Sequence, residues 1–122
     1  MECIGIGVDI EAISRFRHLR RTHDRHFLER IFTIRELNYC FSKKDPAQHL
    51  AVRFCGKEAA VKALASIGIH AVGYCTIEIC NNEKGVPFMR LPKKQKSLQI
   101  SVSLSHSKEY AIAFVTILYD RT

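Results

Sequence analysis

The sequence predicts an α+β domain in which an antiparallel sheet packs against a long helix and shorter helices. Three patterns predict it. A short apolar run from Cys3 to Asp9 indicates an early strand, helical periodicity extends as far as Ile67, and alternating apolar and polar residues follow from Thr76. The 122 residues fit a single domain over 1–122.

The region after the first strand predicts several short helices. Glu11 to Arg21 and Thr22 to Ile31 carry apolar residues at helical spacing. Thr33 is a good N-cap residue, and Glu36 follows three positions later. This capping box begins a helix that reaches Phe41.

The strongest helical pattern runs from Pro46 to Ile67. Proline suits the first turn of a helix, and apolar residues at helical spacing form a stripe along this segment. Gly68 ends it. Gly56 lies in its middle, where glycine costs about 1 kcal/mol relative to alanine.

The remainder of the chain predicts strands joined by turns, an antiparallel meander that the early strand joins. Gly85 supplies the positive φ that a tight turn requires. The predicted strands are Thr76–Cys80, Val86–Leu91, Leu98–Leu104 and Tyr110–Leu118, and the predicted turns are Asn81–Gly85 and Ser105–Glu109.

A basic stretch stands out in a chain whose net charge is +7. Between Ser14 and Arg30 there are six arginines and three histidines but two acidic residues and no lysine. Most such runs are a solvated helix face. They also attract nucleic acid, an anionic membrane or an acidic protein, and arginine favours recognition of carboxylate or phosphate groups.

The five cysteines are an odd number and include no C-x-x-C pair. They predict reduced thiols in a cytoplasmic protein, not a disulfide framework or a zinc site. The apolar start from Ile4 to Ile10 is too short for a membrane span and has no basic leader. We therefore expect neither a signal peptide nor a transmembrane segment.

Two carboxylates and a lysine are the candidate chemical groups. Glu58 and Lys62 are four residues apart on the long helix and share a face. Asp9 lies in an apolar run, where a charge needs a partner or a metal. Together they could hold Mg²⁺ on a diphosphate, which favours phosphoryl-type chemistry. Taken singly, Asp9 also fits a helix cap, and Glu58 with Lys62 fits a surface ion pair.

The segment from Ser101 to Ser107 places four serines on one face of a strand, with His106 opposite or on the turn. A hydrolase that pairs Ser105 with His106 is disfavoured, because adjacent strand residues point apart and no G-x-S-x-G occurs. Two interpretations stay open: a hydroxyl and imidazole cluster that binds phosphate, and a hydrogen-bonded turn. Walker A, G-x-G-x-x-G, zinc-ligand and RNP-type patterns are absent from the sequence.

Four motifs occur in order along nearly the whole chain. They are Gly-Ile-Gly-Val-Asp-Ile ending at Ile10, Arg-Phe-x-x-Lys-Glu-Ala-x-x-Lys-Ala beginning at Arg53, Gly-x-Pro beginning at Gly85, and Ser-Leu-Ser-His ending at His106. Together they resemble the holo-acyl-carrier-protein synthases, the short trimeric class of 4′-phosphopantetheinyl transferases. The resemblance implies the fold of the 4′-phosphopantetheinyl transferases. It also implies the transfer of 4′-phosphopantetheine from coenzyme A to a serine of apo acyl carrier protein. Adenosine 3′,5′-bisphosphate would be released, and the reaction would support fatty acid biosynthesis.

The resemblance assigns roles residue by residue. Asp9 and Glu58 match the Mg²⁺ ligands and Lys62 matches the active-site lysine, and these are the three catalytic positions. The acceptor of the serine proton stays open between a metal-bound hydroxide and Glu58 acting through a water. The positions that match coenzyme A contacts are Lys44, Arg53, Lys62, Gly85, Pro87, His106 and Ser107. The positions that match the surface docking an acidic carrier protein are Arg15, Arg17, Arg20, Arg21 and Arg25.

The resemblance further implies a homotrimer with sites at subunit interfaces, and neither a membrane nor a nucleic acid as partner. Cys55-Gly56 departs from the alanine pair usual before the Lys-Glu of this family. A basic nucleic-acid-binding module is the alternative function, but it leaves Asp9 and Glu58 unexplained, since both repel phosphate without a metal. A catalytically silent scaffold is disfavoured because the acidic, lysine and histidine positions are intact.

Overall fold

A three-stranded antiparallel sheet covered on one face by a long helix forms the centre of the computed structural model, which describes residues 2–120. The strands are β1 (Glu2–Ala12), β2 (Glu78–Asn81), β3 (Pro87–Arg90), β4 (Gln99–His106) and β5 (Tyr110–Asp120), and the helices are α1 (Arg25–Ile31), α2 (Ile34–Phe41) and α3 (Pro46–Ser66). The sheet order is β1–β5–β4, and β2 with β3 forms a separate hairpin. The predicted α+β class, with a sheet against a long helix, is confirmed.

Two glycines of β1 let α3 pass very close to the strand. A Cβ atom on Gly7 would lie 1.9 Å from the carbonyl oxygen of Ala59, and one on Gly5 would lie 2.9 Å from that of Ala63. The odd-numbered residues of β1 therefore face α3, since side chains alternate along a strand. This packing brings Asp9 under the helix.

β1 continues beyond Asp9, so the predicted helix from Glu11 to Arg21 is wrong. Glu11 pairs with Ala111 of β5, and the ladder extends through Ala12. The sheet pairing satisfies the backbone groups that a helix would otherwise have bonded internally. Only a 3₁₀ turn follows, at Ile13–Phe16. Asp9 therefore caps no helix, and that alternative is also wrong.

The capping box before α2 is confirmed in both directions. The Thr33 hydroxyl accepts a hydrogen bond from the Glu36 amide at 3.2 Å, and the Glu36 carboxylate accepts one from the Thr33 amide at 2.9 Å. The helix reaches Phe41 as predicted. The helix predicted from Thr22 begins later, at Arg25, and is only seven residues long.

A buried ion pair joins α3 to α2 and to the hairpin. Lys57 Nζ lies 2.7 Å from Glu36 Oε1, and both side chains are fully buried. Lys57 also donates to the carbonyl oxygens of Tyr74 and Ile77, and Glu36 accepts from the Ile79 amide at 2.8 Å. Burial lowers the pKa of Lys57, and the nearby Glu36 charge opposes that shift.

The C-terminal half is not one meander, because the hairpin is separate and β5 lies between β1 and β4. Gly85 adopts a φ of +81° in the hairpin turn, as predicted. β4 extends to His106, opposite Ala111, so the predicted turn from Ser105 begins later. A Cβ atom on Gly56 would lie 2.5 Å from Ile79 Cδ1. The mid-helix glycine thus makes room for the hairpin on α3.

The face of the sheet turned away from α3 is apolar and exposed. Its largest contribution comes from β1, where Ile4 is 68% exposed, and β5 adds Ile112 and Phe114. The even-numbered residues Ile6, Val8 and Ile10 complete the row. Within residues 2–120, no helix is both long and apolar enough to cross a membrane.

Candidate active site

Three carboxylates converge where β1 meets α3. Asp9 and Glu11 are two residues apart on β1 and point to the same side, and Glu58 comes from α3. Each offers an oxygen within 4.8 Å of the others. Carboxylate oxygens are the preferred ligands of hard divalent cations such as Mg²⁺, so this carboxylate cluster has the chemistry of a cation site.

Lys62 pairs with the carboxylate cluster across the gap between helix and strand. Its Nζ lies 3.3 Å from Asp9 Oδ1 and 3.0 Å from the Val8 carbonyl oxygen. Glu58 instead accepts a hydrogen bond from the Tyr74 hydroxyl. The alternative of a surface ion pair between Glu58 and Lys62 is therefore wrong for the described part of the chain.

The electrostatics of the carboxylate cluster indicate crowded negative charge. Asp9 Oδ2 is buried and has no hydrogen-bond partner. Burial, together with hydrogen-bond and charge effects of Asp9, raises the pKa of Glu11 to about 7, although Arg15 opposes the shift. The hydrogen bond to Glu58, followed by burial, raises the pKa of Tyr74 to about 12. Tyr74 therefore stays a neutral donor that fixes Glu58.

A cleft of about 290 Å³ lies near the other end of the candidate site. Four of the residues predicted to contact coenzyme A line it: Arg53, Gly85, Pro87 and His106. His106 Nε2 is 3.0 Å from the Gln48 side-chain nitrogen, and its Nδ1 is 3.2 Å from the Ser107 carbonyl oxygen. A donor at Nδ1 fits the Ser107 carbonyl oxygen, and an acceptor at Nε2 fits the Gln48 amide.

Arg53 forms the buried wall of this cleft. It is 4% exposed, its guanidinium lies 4.1 Å from the Tyr39 ring centroid, and it donates to Asn81 Oδ1 at 2.6 Å. Its Nε atom is buried without a partner. Burial lowers the pKa of the adjacent His49, and the positive charge of Arg53 lowers it further.

The sheet register connects the cleft to the carboxylate cluster. Ala111 of β5 lies opposite Glu11 on one side and His106 on the other. Directly opposed residues share a face of the sheet, so Glu11 and His106 both lie on the side of α3. Two strand spacings separate them, which is about 10 Å.

Two predicted coenzyme A contacts lie outside this arrangement. Lys44 is exposed between α2 and α3, and it is not among the cleft residues. The Ser107 hydroxyl accepts hydrogen bonds from the amides of Glu109 and Tyr110. These bonds agree with the interpretation of this segment as a hydrogen-bonded turn. Ser101 and Ser103 face away from α3, because they alternate with His106 along β4.

The predicted carrier-docking arginines do not form one helix face. Arg15 lies in the 3₁₀ turn, the next three follow in the irregular segment 17–24, and Arg25 begins α1. Several already have partners: Arg15 contacts Glu11, Arg17 lies 3.0 Å from Asp45, Arg21 contacts Asn38, and Arg25 lies 3.0 Å from Glu29.

Sequence reasoning missed two residues of the site: Glu11, which belongs to the carboxylate cluster, and Tyr74, which donates a hydrogen bond to Glu58. Glu11 follows Asp9 by two positions, a spacing that would have placed both on one side had the strand been predicted to reach Ala12. Tyr74 carries no sequence pattern that connects it to Glu58, because the contact depends on how the loop after α3 folds back.

Comparison with known proteins gives a consistent result. The description "4′-phosphopantetheinyl transferase superfamily" belongs to the family that matches residues 5–115. Holo-[acyl-carrier-protein] synthases of Chlorobaculum parvum and Chlamydia pneumoniae are 39% and 43% identical to the chain. The matches cover 92% and 93% of the chain and 96% and 95% of those proteins.

Solved structures agree. The crystal structure of a holo-(acyl-carrier-protein) synthase from Bacillus anthracis in complex with CoA (3′,5′-ADP) matches with a TM-score of 0.78 and 29% identity, over 98% of this chain and all of that one. The Helicobacter pylori holo-[acyl-carrier-protein] synthase in complex with coenzyme A matches with a TM-score of 0.77 and 30% identity, over 92% of this chain and 98% of that one. The chain belongs to the holo-[acyl-carrier-protein] synthase family of 4′-phosphopantetheinyl transferases.

Proposed function

We propose that this enzyme transfers 4′-phosphopantetheine from coenzyme A to a serine of apo acyl carrier protein and releases adenosine 3′,5′-bisphosphate. The observation that carries the proposal is the meeting of Asp9, Glu58 and Lys62 beside the cleft lined by Arg53 and His106. It occurs in a chain that matches holo-[acyl-carrier-protein] synthases over nearly its whole length. The product, a holo carrier protein, supports fatty acid biosynthesis.

The carboxylates fit Mg²⁺. The buried Asp9 Oδ2 has no partner, although a buried carboxylate oxygen is costly without one. Asp9 and Glu58 would hold the ion, and substrate phosphates and waters usually supply its remaining ligands. When bound, Mg²⁺ would neutralise diphosphate charge and polarise the phosphorus.

The groups around the carboxylate cluster would position and stabilise the reacting atoms. The Lys62 ammonium is about half exposed, so it can reach a substrate phosphate while it stays near Asp9. It would stabilise the charge that grows on the bridging oxygen as the adenosine part leaves. Tyr74 would keep the Glu58 carboxylate in one orientation.

The cleft residues would bind the nucleotide end of coenzyme A. Arg53 lines the cleft, and arginine matches phosphate geometry well. His106 would contact the diphosphate, since it shares the sheet face of the carboxylate cluster. Gly85 and Pro87 would border the nucleotide. Lys44 and Ser107 would be more peripheral contacts.

Arg15, Arg17, Arg20, Arg21 and Arg25, here called the arginine surface, would dock the acidic carrier protein. An apolar groove of about 570 Å³ adjoins it and runs from Arg15 to Tyr74, which holds Glu58. The groove thus connects the arginine surface to the carboxylate cluster. Because steered encounter depends on charge, the KM for carrier protein should rise with salt while the KM for coenzyme A changes less. Equal salt dependence of both constants would remove this role.

We also propose a homotrimer with sites at subunit interfaces. The exposed apolar face of β1 and β5 is the supporting feature, because monomers rarely expose large contiguous apolar patches. Val8 and Ile10 of this face flank Asp9, so a neighbouring copy would adjoin the site. Light scattering should give three times the chain mass, and Val8→Lys should lower it. A wild-type monomer at micromolar concentration would contradict the proposal.

We propose that the enzyme acts in the cytoplasm. Cys40 and Cys55 are buried free thiols, and cysteines stay reduced in that compartment.

A transfer assay tests the function. The enzyme is mixed with coenzyme A, Mg²⁺ and an apo carrier protein, and mass spectrometry detects the phosphopantetheine increment on the carrier. We expect transfer by the wild type, loss in Asp9→Asn and in Glu58→Gln, and retention in Glu29→Gln, which removes a carboxylate outside the cluster. Full activity in either cluster variant would refute the metal assignment, and an inactive wild type would refute the function.

A further inference from the structure

We propose that a groove between β3 and β4 binds a long-chain fatty acid, with the apolar chain inside the groove and the carboxylate at its edge. The groove has a volume of about 590 Å³, within the ~300–1,000 Å³ usual for small-ligand sites. It shares no lining residue with the cleft assigned to coenzyme A. The inference therefore goes beyond the proposed transfer reaction and does not depend on it.

The floor of the groove is apolar. Its hydrophobic lining residues are Met89, Leu91, Leu98 and Ile100. Met89 is 7% exposed, and the other three are partly buried against the core. Ile100 lies opposite the buried Ile117, so it faces α3 and not the exposed apolar face of β1 and β5. The groove is therefore separate from the surface that the proposed trimer would cover.

The edge of the groove is positively charged. Arg90, Lys93 and Lys96 line it, and all three are exposed. Residues 84–108 contain no aspartate or glutamate, and within residues 2–120 neither lysine forms an ion pair. Lysine stems can lie along apolar surface while their ammonium groups stay in water. The groove thus complements an anion that carries an apolar chain.

Two other anionic partners fit the groove less well. All four of its apolar residues are buried or half-buried, so they do not project as residues that insert into a bilayer do. The groove has no aromatic lining residue on which the bases of a single-stranded nucleic acid could stack. A single apolar chain in a concave site requires neither feature.

Fluorescence titration of the full chain with cis-parinaric acid, a fluorescent long-chain fatty acid, tests the proposal without coenzyme A or carrier protein. We expect saturable binding of one molecule per chain, with a Kd of about 10 μM or below. Lys93→Glu and Lys96→Glu should each raise the Kd about tenfold, because they place a negative charge beside the carboxylate. The uncharged methyl ester of the same fatty acid should bind less tightly than the acid.

Lys94→Glu is the matched control. Lys94 lies in the same connection and is equally exposed, but it does not line the groove. Its substitution should leave the Kd within about twofold of the wild type, well under the tenfold step. Equal effects of all three substitutions would indicate general electrostatic attraction and would overturn the assignment to the groove. Urea denaturation should show that each variant keeps the stability of the wild type, since all three lysines are exposed.

Competition experiments separate the groove from other sites and partners. Saturating coenzyme A should leave the fatty acid bound, and displacement would place the fatty acid in the coenzyme A cleft and overturn the proposal. Phosphatidylglycerol vesicles or poly(U) that bind through Lys93 and Lys96, without binding of the free fatty acid, would assign the groove to a membrane or to nucleic acid instead. Absence of saturable fatty acid binding would make this inference wrong and leave the proposed transfer reaction unaffected.

Discussion

Substitution of Gly7 by alanine tests whether close packing of β1 and α3 creates the site. A Cβ atom there would lie 1.9 Å from the Ala59 carbonyl oxygen and 2.8 Å from the Ala63 amide nitrogen. Ordinary contact begins at 3.4 Å, so the first distance is about 1.5 Å too short. Both neighbours are helix backbone, which cannot rotate away as a flexible side chain would. α3 would have to move away from the strand.

The expected loss has two parts. Overpacking typically costs ~1–3 kcal/mol, and the severity of this overlap places Gly7→Ala at about 3 kcal/mol or above in the free energy of unfolding. The same displacement carries Glu58 and Lys62 away from Asp9. A misplacement of about 1 Å can cost 10²-fold in rate, so phosphopantetheine transfer by the folded fraction should fall by about that factor.

Urea denaturation and the transfer assay, run on the same preparation, measure both losses. Gly73→Ala is the matched control, because Gly73 has a φ of −72° and a Cβ atom there meets nothing closer than 3.9 Å. It should keep full activity and gain up to about 1 kcal/mol from reduced unfolded-state entropy. If the free energy of unfolding of Gly7→Ala were within about 1 kcal/mol of the wild-type value and the variant were fully active, the close-packing argument would be refuted.

Three further predictions concern buried charge, a shifted histidine and thiol reactivity. Lys57→Met should lower the free energy of unfolding by about 3–5 kcal/mol, because it leaves the Glu36 carboxylate buried without its charged partner. A loss below about 1 kcal/mol in urea denaturation would show that the ion pair is dispensable. NMR titration should give His49 a pKa below 6.5, and Arg53→Gln should raise that pKa. Because the unfolded state of the wild type binds this proton more readily than the folded state, His49 lowers the free energy of unfolding as the pH falls below 6.5. A His49 pKa at or above 6.5 would contradict the reasoning. Iodoacetamide should modify the exposed Cys75 before any buried thiol, as mass spectrometry of native protein would reveal, and early labelling of a core cysteine would count against the packing described.

The sequence predicted most where local patterns decide the structure. The Thr33 capping box and the proline-led α3 were correct, because short-range hydrogen bonds and periodicity specify them. The segment after Asp9 was predicted wrongly, because Glu11 pairs with β5, which is a hundred residues away in sequence. Tertiary pairing overrode the local helical pattern there.

The candidate site was predictable to the same extent. Asp9, Glu58 and Lys62 were found from composition and spacing, and the structure brings them together. Glu11 contributes because β1 extends past Asp9, and Tyr74 contributes because the loop after α3 folds back. Neither feature produces a periodic pattern in the sequence. Only the structure shows that α3 is the element that packs against the glycines of β1.

The most direct test of the central claim is an anomalous diffraction map from crystals grown with Mn²⁺ and coenzyme A. We predict a strong peak in contact with the carboxylates of Asp9 and Glu58 and with the diphosphate of coenzyme A, whose nucleotide end lies in the cleft beside Arg53 and His106. Coenzyme A bound in that cleft with no metal at these carboxylates, or a metal peak elsewhere on the protein, would contradict the claim.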